Sequence, residues 1–389
     1  MPFSKRIREV KPSATLQITA KAQAQAKEGK DVVAFGAGEP DFDTPDVIKA
    51  EAIKAIQSGF TKYTPTSGIL ELKRAISKKL KVDNSLEYDP SSIVISCGAK
   101  HSLYNVLQVL IDEGDEVLIP VPFWVSYPEM VKLASGKPVF LQASQAQDFK
   151  VNPKLLKNAL TKRTKVLIIN SPSNPCGVVY NEKELREIAD FCVKNNIFCI
   201  SDEIYEKIIF DNLKHISIAS FSNEIKKLAI TVNGFSKSYS MTGWRLGYLA
   251  AEPEIVQAVS RLQDHSTSNP CSISQRAALA AFDLNESFFT DIKKKFQERR
   301  DYITKRLDNL DGLVGYKKPE GAFYIFCNIS STGMDSFTFA NRLLEEEHVA
   351  VIPGEPFGCN DYIRISFATS MEKIKKGFDR IEGWIRKIA

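Results

Sequence analysis

The chain has 389 residues, of which 43% are hydrophobic, so it contains enough apolar material for more than one core. Its 52 basic and 47 acidic residues give a net charge of +5 without a dense basic block, which disfavours a nucleic-acid-binding role. The seven cysteines form no C-x-x-C pair, and the amino terminus has no apolar signal-peptide core. We therefore expect a cytoplasmic protein with reduced thiols that does not insert into a membrane.

Short apolar runs alternate with helix-period segments through most of the sequence. The predicted strands are Ile93–Ser96, Glu116–Ile119, Val139–Gln142, Lys165–Asn170, Ile197–Ser201, Leu228–Val232 and Gly247–Ala250. The predicted helices lie near residues 101–112, 124–135, 152–161 and 183–195. This alternation, with nearly continuous apolar strands, predicts an α/β fold in which helices cover both faces of a mostly parallel sheet.

The pattern changes after about residue 285. A long charged helix over 285–309 is followed by apolar runs at Gly321–Ile329, Val349–Ile352 and Tyr362–Phe367, which is typical of a smaller α+β unit. The first 45 residues lack the strand–helix alternation, and we expect them to pack against that unit. The predicted large domain is therefore 46–284, and the small domain combines 1–45 with 285–389.

Several common catalytic motifs are absent from the sequence. There is no phosphate-binding GxxxxGK[ST], no HExxH and no GxSxG, and the four histidines do not have metal-ligand spacing. The segment GAGEPD at 36–41 begins like a dinucleotide fingerprint but has Asp41 where the third glycine belongs. These absences disfavour nucleotide hydrolysis, zinc chemistry and serine hydrolysis, and we predict no metal site.

Two polar turns follow predicted strands, where open α/β sheets bind ligands. In SCGAKHSLYNVL at 96–107, the Gly98-Ala99 turn opens a helix whose free N–H groups suit a phosphate, although a plain strand–helix turn has the same pattern. In KVLIINSPSNPCG at 165–177, two prolines bracket Asn174. That arrangement indicates either an ordinary turn or a rigid donor directed at a ligand.

Two further strand ends carry charged residues. In NIFCISDEIYEKI at 196–208, Asp202 ends an apolar strand, where it either caps a helix or pairs with a protonated heterocycle. In NGFSKSYSMTGWRLGYLA at 233–250, Lys237 lies among serines, eight residues before Arg245. Most lysines are simply solvated, but these neighbours favour a Schiff-base lysine beside a phosphate site.

Taken together, these segments resemble the class I pyridoxal-phosphate aminotransferases of fold type I, and in particular the bacterial aspartate aminotransferase branch. The resemblance covers essentially the whole chain through an ordered series of motifs. These are KPSATL at 11–16, AGEPDFDTP at 37–45, KYTPTSG at 62–68, the GAK turn, FWVSYPEM at 123–130, NSPSNPCG, SDEIY, SKSYSMTGWRLGY, EGAFY at 320–324 and YIRISFATS at 362–370.

The resemblance implies a pyridoxal 5′-phosphate cofactor and a reversible amino transfer from L-aspartate to 2-oxoglutarate. Lys237 would hold the cofactor covalently and then act as the general base, and Asp202 would pair with the pyridine nitrogen. Tyr205 and Asn174 would bind the ring's 3-oxygen, and Trp124 would stack on the ring. The same resemblance places the phosphate on Gly98, Ala99, Lys100, Ser236 and Arg245, with Tyr63 reaching it from the partner subunit of a homodimer.

Substrate binding is implied in the same way. Arg364 would hold the α-carboxylate, assisted by Asn174, Trp124 and the backbone at Gly38. An acidic side chain would be bound by Lys100, Ser13 and Thr15, which favours aspartate and glutamate but is also compatible with prephenate.

Two positions depart from the commoner pattern of this branch. Cys176 stands where most relatives have threonine, and Gly234 stands where many have a phosphate-binding serine, so we expect somewhat weaker phosphate retention. The alternatives are an aspartate/prephenate or broader aromatic-accepting aminotransferase, a lyase or synthase of the same fold and, more remotely, a non-catalytic cofactor-binding regulator. The regulator would need an added DNA-binding unit, for which the first 45 residues offer no pattern.

Overall fold

The computed structural model describes residues 3–12 and 14–388. Its strands, in chain order, are β1 Val33–Ala34, β2 Ile93–Ser96, β3 Glu116–Val121, β4 Lys137–Gln142, β5 Thr164–Asn170, β6 Phe198–Asp202, β7 Ala229–Gly234, β8 Gly247–Ala250, β9 Gly315–Tyr316, β10 Tyr324–Asn328, β11 Val349–Ala350, β12 Ile352–Pro353 and β13 Tyr362–Ser366.

The helices, in chain order, are α1 Lys5–Glu9, α2 Ala14–Lys27, α3 Asp46–Gln57, α4 Leu70–Asn84, α5 Ala99–Leu110, α6 Ser126–Leu133, α7 Pro153–Ala159, α8 Glu182–Asn195, α9 Asn223–Leu228, α10 Pro253–Asp264, α11 Ser272–Leu279, α12 Glu286–Asp308, α13 Ser336–Glu347 and α14 Met371–Ile388. Among the described residues, no helix has the length and apolar character that a membrane span requires.

Seven of the described strands form the larger sheet, in the order β2-β8-β7-β6-β5-β3-β4. Only β8 within this sheet runs antiparallel to its neighbours, β2 and β7. The inner strands are apolar almost throughout because helices bury both faces, and separate hydrophobic clusters fill the two sides. The predicted α/β fold with a mostly parallel sheet is therefore confirmed.

A second, smaller sheet is antiparallel and has the order β12-β13-β10-β9. It shares a core with α12, α13 and α14, in which Trp384 is fully buried. Helix α12 is held there by an apolar stripe that includes Ile292, Phe296, Ile303 and Leu307, repeating at helical spacing. This is the smaller α+β unit that the sequence predicts.

The amino-terminal segment joins this smaller unit through a short parallel pair of β1 and β11, with Val33 opposite Val349. Phe35 belongs to the same core and is fully buried. This contact agrees with the expectation that the first 45 residues pack against the carboxyl-terminal unit. The domain boundaries at 46 and 284 stay a prediction.

Candidate functional site

A cavity of about 740 Å³ lies where strands of the larger sheet end and the smaller unit begins. Strands β5 and β6 pair in register up to Asn170 and Asp202, and β7 ends beside them at Gly234. The parallel strands thus bring their carboxyl ends to one edge, as open α/β sheets do at their ligand sites. Most of the predicted site residues line this cavity: Thr15, Gly38, Ala99, Lys100, Trp124, Asn174, Asp202, Tyr205, Ser236, Lys237, Arg245 and Arg364.

Two predicted residues that the structure describes do not line the cavity in this way, and a third is not described. Gly98 lies directly behind the wall, beside Arg245. The side chain of Tyr63 is 92% exposed and does not line the cavity of its own chain. Ser13 lies outside the described residues, so its predicted role stays a prediction.

Asp202 is a buried carboxylate at the end of β6. Its Oδ2 accepts a hydrogen bond from the Tyr127 hydroxyl at 2.7 Å, and its Oδ1 accepts one from the backbone N–H of Ile204 at 3.3 Å. Burial raises the pKa of Asp202 to about 6, against the opposing effect of the Tyr127 hydrogen bond. A buried acid of this kind is stabilised by a cation placed against it.

Lys237 follows β7 and lines the same cavity. Its ammonium group donates a hydrogen bond to the backbone carbonyl of Gly38, from the amino-terminal segment. Burial is the main cause that lowers the pKa of Lys237 to about 8, and the nearby Arg364 and Arg245 lower it further. A lysine whose neutral form is reached near physiological pH can act as a nucleophile and as a base.

An anion cradle lies at the start of α5. Gly98 has a φ of 92°, and a Cβ there would stand 2.5 Å from Nη2 of Arg245, so only glycine lets the guanidinium approach. The helix start leaves the N–H groups of Ala99 and Lys100 without intrahelical acceptors. Ser236 lines the cavity as well. The donors and the positive helix end together suit a phosphate group.

Arg364 on β13 forms a second anion site. Its Nη1 donates to Oδ1 of Asn174 at 3.0 Å and its Nη2 to the carbonyl of Gly36 at 3.0 Å. The side chain is 3% exposed, and its guanidinium lies 4.4 Å from the ring centroid of Tyr324. Among the described residues, its buried Nε has no hydrogen-bond partner and no carboxylate pairs with it. A buried cation without a carboxylate favours an anionic ligand.

The remaining polar side chains connect these groups. The hydroxyls of Tyr205 and Tyr324 lie 2.9 Å apart. Asn170 accepts from the backbone N–H of Asn174 at 2.8 Å and donates to the carbonyl of Asp202 at 2.9 Å. These contacts fix the turn after β5 against the end of β6.

Lys100 lies 4.9 Å from the ring centroid of Trp124, so its ammonium group faces the aromatic wall. Burial and the neighbouring Arg245 lower the pKa of Lys100. Within the described part of the chain no carboxylate forms an ion pair with it, which leaves this cation available to an acidic ligand.

The sequence reasoning missed Tyr127, Asn170 and Tyr324 as members of the site. Tyr127 stands in the FWVSYPEM motif, three residues after Trp124, and the two rings meet edge to face at 5.3 Å. A spacing of three residues places Tyr127 on the same side of the chain as Trp124, and this spacing could have identified it as a site residue.

Local packing explains one of the two departures from the common pattern, Gly234, and the structure shows where the other, Cys176, lies. The thiol of Cys176 is buried 2.9 Å from the Ser173 hydroxyl, and burial raises its pKa to about 11. A Cβ on Gly234 would lie 2.9 Å from Cα of Gly247. Gly234 is therefore required by the close approach of β7 and β8, and the expected weaker phosphate retention stays a prediction.

Comparison with known proteins agrees with this geometry. Residues 30–381 match the family model described as aminotransferase class I and II. The chain is 45% identical to an aspartate aminotransferase of Bacillus subtilis, with 100% of each chain covered. It is also 45% identical to a probable aspartate/prephenate aminotransferase of Aquifex aeolicus, with 99% of each chain covered. The solved aspartate aminotransferase from Thermus thermophilus with maleate superposes with a TM-score of 0.95 at 37% identity, covering 98% of this chain and 99% of that one.

Proposed function

The chain belongs to the class I and II aminotransferase family, and we propose that it transfers the amino group of L-aspartate to 2-oxoglutarate, giving oxaloacetate and L-glutamate. The resemblance inferred from the sequence motifs is confirmed by the family match. One observation carries the proposal: a single cavity holds the amine of Lys237, the buried acid Asp202, the phosphate cradle at the start of α5 and two further cations, Arg364 and Lys100, for the two ends of a substrate. A lyase needs only one substrate anion site, whereas exchange between two dicarboxylates uses both ends of the substrate.

The residues present fit pyridoxal 5′-phosphate. The cradle of Gly98 and Arg245 excludes a Cβ and presents donors, as a phosphate requires. Asp202 is a buried acid that a protonated ring nitrogen would satisfy, and Lys237 is the amine that would bind the aldehyde. When bound, this cofactor withdraws electrons from the Cα of the substrate.

Each side chain then has a defined task. Asp202 would keep the ring nitrogen protonated, and Trp124 would pack on the ring face. Tyr205 and the amide N–H of Asn174 would donate to the ring's 3-oxygen. The N–H groups of Ala99 and Lys100, the Ser236 hydroxyl and the Arg245 guanidinium would hold the phosphate. All of these residues line the cavity, which supports the assignment.

Lys237 is the general base of the reaction. Its pKa of about 8 leaves a useful fraction of neutral amine at physiological pH. The amine moves a proton between Cα of the substrate and C4′ of the cofactor. The hydrogen bond to the Gly38 carbonyl places the amine beside the segment that closes one side of the cavity.

The two ends of the substrate are bound by different cations. Arg364 binds the α-carboxylate as a bidentate pair, assisted by Asn174 and the backbone at Gly38. Lys100 and Thr15, together with Ser13, bind the distal carboxylate. The ammonium of Lys100 faces the cavity without an ion-pair partner among the described residues, which supports an acidic side chain as its ligand.

Prephenate is a second candidate acceptor, because the relative from Aquifex aeolicus is named for both substrates. Its ring-borne carboxylate could use the same Lys100 site. An assay with aspartate as donor and either 2-oxoglutarate or prephenate as acceptor separates the two candidates.

A homodimer is part of the proposal. Helix α3 exposes large apolar side chains, since Val47, Ile53 and Ile56 are each more than half exposed in the single chain. Exposed large apolar side chains on one helix favour burial against a second copy. Tyr63 is then free to reach the phosphate site of the partner. The free cysteines are typical of the cytoplasm, where we propose that the enzyme works.

The test is a screen of half-reactions. The holoenzyme is mixed with single amino acids, and the visible absorbance of its cofactor is followed. Rapid change with aspartate and glutamate supports the proposal, whereas a response to neither would contradict it. In Lys237→Ala we expect the rate to fall by at least ~10³-fold, because the base is removed.

A further inference from the structure

Two buried glutamates directly follow two of the residues that we propose at the cofactor ring. In the segment DEIYE at 202–206, Glu203 follows Asp202 and Glu206 follows Tyr205. Asp202 and Tyr205 line the cavity, whereas neither glutamate is among the residues that line it. Glu203 is 1% exposed and Glu206 is also buried, so protein groups and not bulk water must compensate both acids.

The alternation of side chains along β6 explains why Glu203 points away from Asp202. Cys199 belongs to the hydrophobic cluster on one face of the larger sheet, and Ile200 belongs to the cluster on the other face. Asp202 continues the side of Ile200, and Glu203 continues the side of Cys199, because successive side chains of a strand alternate. The hydroxyl of Ser201, on the same side as Glu203, donates to Oε1 of Glu203 at 2.9 Å. Glu203 therefore lies behind Asp202, on the opposite face of the sheet.

The carboxylate of Glu203 is held from several directions. Its Oε2 accepts a hydrogen bond from the Ser217 hydroxyl at 2.6 Å and lies 2.7 Å from Nε2 of His215. The amide of Asn84 on α4 approaches the same oxygen at 3.4 Å. The backbone N–H of Glu203 donates to the carbonyl of Val232 on β7 at 2.9 Å. Both the side chain and the backbone of this residue are therefore fixed, and a rotation at the end of β6 would break these bonds.

Glu206 is joined to the same group of side chains. The ammonium of Lys79 on α4 bonds to Oε1 of Glu206 and donates to Oδ1 of Asn84 at 2.7 Å. The Nδ2 of Asn84 donates to Oε2 of Glu206 at 2.8 Å and to the Ser217 hydroxyl at 2.9 Å. Asn84 thus connects the two glutamates. We call this group the rear cluster, and it consists of Lys79, Asn84, Glu203, Glu206, His215 and Ser217.

The burial of two carboxylates in the rear cluster costs free energy. Apolar side chains of the same size are often as stabilising as a buried ion pair, because buried charges lose their hydration. The cluster therefore points to a role in fixing directions rather than in adding net stability. The ligand atoms of Glu203, Glu206 and His215 lie within 4.8 Å of one another, as they would in a metal site, but Lys79 already supplies a cation to this group.

We propose that Glu203 is a positioning residue for Asp202, and that the rear cluster holds Glu203 in place for this role. Held on the opposite face of the sheet, Glu203 fixes the end of β6 so that the Asp202 carboxylate stays directed into the cavity, where the ring nitrogen would pair with it. Glu203 itself lies outside the cavity and acts only through its neighbour. The inference rests on the proposed aminotransferase function, because it concerns the acid that would bind the cofactor.

The experiment compares two cofactor probes on the apo-protein by fluorescence titration. Pyridoxal 5′-phosphate has the ring nitrogen that Asp202 would bind, and 1-deazapyridoxal 5′-phosphate has a carbon in its place. In Glu203→Gln an amide donor replaces an acceptor oxygen, so we expect the affinity for pyridoxal phosphate to fall by about tenfold or more. The affinity for the deaza probe should change by less than about twofold, since that probe makes no hydrogen bond to Asp202.

The other outcomes of this titration are equally clear. An equal loss of affinity for both probes would show a general structural effect and overturn the proposal, and so would unchanged affinities for both. A wild-type protein that binds neither probe would instead count against the proposed function itself.

Glu116→Gln is the matched control. Glu116 is also a buried glutamate of the larger sheet, and it accepts hydrogen bonds from Lys137 at 3.0 Å and from Thr161 at 2.6 Å. It begins β3, so it lies at the edge of the sheet opposite to the carboxyl ends of the parallel strands β3, β5 and β6. The ratio of the two affinities in Glu116→Gln should equal that of the wild type. The same change of ratio in both glutamate variants would contradict a specific role for Glu203.

Two substitutions of His215 test whether the rear cluster holds Glu203, and they replace Glu203→Gln if that variant fails to fold. His215→Leu removes the nitrogen that lies 2.7 Å from Glu203, whereas His215→Gln keeps an N–H donor. We expect the affinity ratio of pyridoxal phosphate to the deaza probe to fall by about threefold or more in His215→Leu and to stay close to the wild-type ratio in His215→Gln. A wild-type ratio in His215→Leu would show that Glu203 does not need the cluster and would contradict the proposal.

Discussion

The hydroxyl of Tyr127 donates a 2.7 Å hydrogen bond to Oδ2 of Asp202, and both side chains are buried. Trp124 packs edge to face on Tyr127 one helical turn away, which limits the directions in which the hydroxyl can point. The bond favours the ionised form of Asp202, since it lowers a pKa that burial raises to about 6. Tyr127 is thus a positioning residue for the acid that we propose as the partner of the cofactor ring.

Tyr127→Phe should weaken cofactor retention. Without the hydroxyl, the pKa of Asp202 rises further, and less of the carboxylate is ionised at neutral pH. A hydrogen bond to a charged group contributes ~1.5–3 kcal/mol, so we expect pyridoxal phosphate to bind the apo-protein about tenfold or more weakly. Fluorescence titration of the apo-protein measures this affinity.

The matched control for that substitution is Tyr180→Phe. Tyr180 is also buried, and its hydroxyl accepts a hydrogen bond from the N–H of Val151 at 3.1 Å, outside the cavity lining. It should lose stability without losing cofactor affinity. Equal affinities in Tyr127→Phe and the wild type would show that Asp202 does not need this partner.

The capture of pyridoxal phosphate by the apo-protein should depend on pH through Lys237. Burial lowers the pKa of this amine to about 8, so the neutral form that attacks the aldehyde appears as the pH rises towards 8. Asp202, with a pKa of about 6, is already ionised over most of that range. We expect the capture rate to rise by about tenfold per pH unit between 6 and 8 and then to level off.

Stopped-flow absorbance over this pH range checks the profile. A rate that stays constant from pH 6 to 8 would mean that the amine is already neutral at pH 6. In Tyr127→Phe only the low-pH part of the rate profile should change, because that substitution acts on the ionisation of Asp202.

Arg364→Lys should raise the KM for aspartate by roughly 10–100-fold, because an ammonium group cannot reproduce the bidentate pair with the α-carboxylate. The affinity for pyridoxal phosphate should change little, since Arg364 contacts Asn174 and the Gly36 carbonyl and not the phosphate cradle. Steady-state kinetics and a cofactor titration separate the two effects.

Arg342→Lys is a suitable control for Arg364→Lys, because Arg342 forms an exposed ion pair with Glu346 on α13. Its KM should equal that of the wild type. A loss of cofactor binding in Arg364→Lys, with KM unchanged, would reassign this residue to the phosphate.

The larger sheet and the positions of Asp202 and Lys237 could be predicted from the sequence, because apolar strands ending in polar residues mark the ligand edge of an α/β sheet. The role of Arg364 came only from the family resemblance, since nothing in the pattern of β13 distinguishes it from a structural ion pair. Tyr127 could not be placed, because its bond to Asp202 depends on how α6 packs beside β3 and β4, which brings the Tyr127 hydroxyl to the end of β6.

Helices α3 and α4 were not predicted, for two physical reasons. Helix α3 exposes Val47, Ile53 and Ile56, so its apolar residues do not form one clear stripe. Helix α4 buries Lys79, whose charge is compensated by the equally buried Glu206, so a charged residue stands on its inner face. Both helices are thus stabilised by tertiary contacts that the sequence pattern does not show.

Gly234→Ser tests whether close packing or phosphate binding determines the glycine at the end of β7. If phosphate binding determines the residue at position 234, a serine there should strengthen cofactor retention, as the commoner family pattern implies. The structure indicates the opposite, because the new Cβ would press against the backbone of Gly247, whose own Cβ position lies 2.2 Å from the N–H of Ala99. A clash between backbones cannot be relieved by a rotamer change, so β7, β8 and the start of α5 would have to move together. We expect a loss of ~1–3 kcal/mol in the free energy of unfolding.

Gly243→Ser is the matched control, since nothing lies within 4 Å of its Cβ position, and its denaturation midpoint should stay close to that of the wild type. The contradicting result is a Gly234→Ser protein that is as stable as the wild type and binds its cofactor more tightly. It would show that β7 and β8 can accommodate the added side chain and that phosphate binding determines the residue at this position.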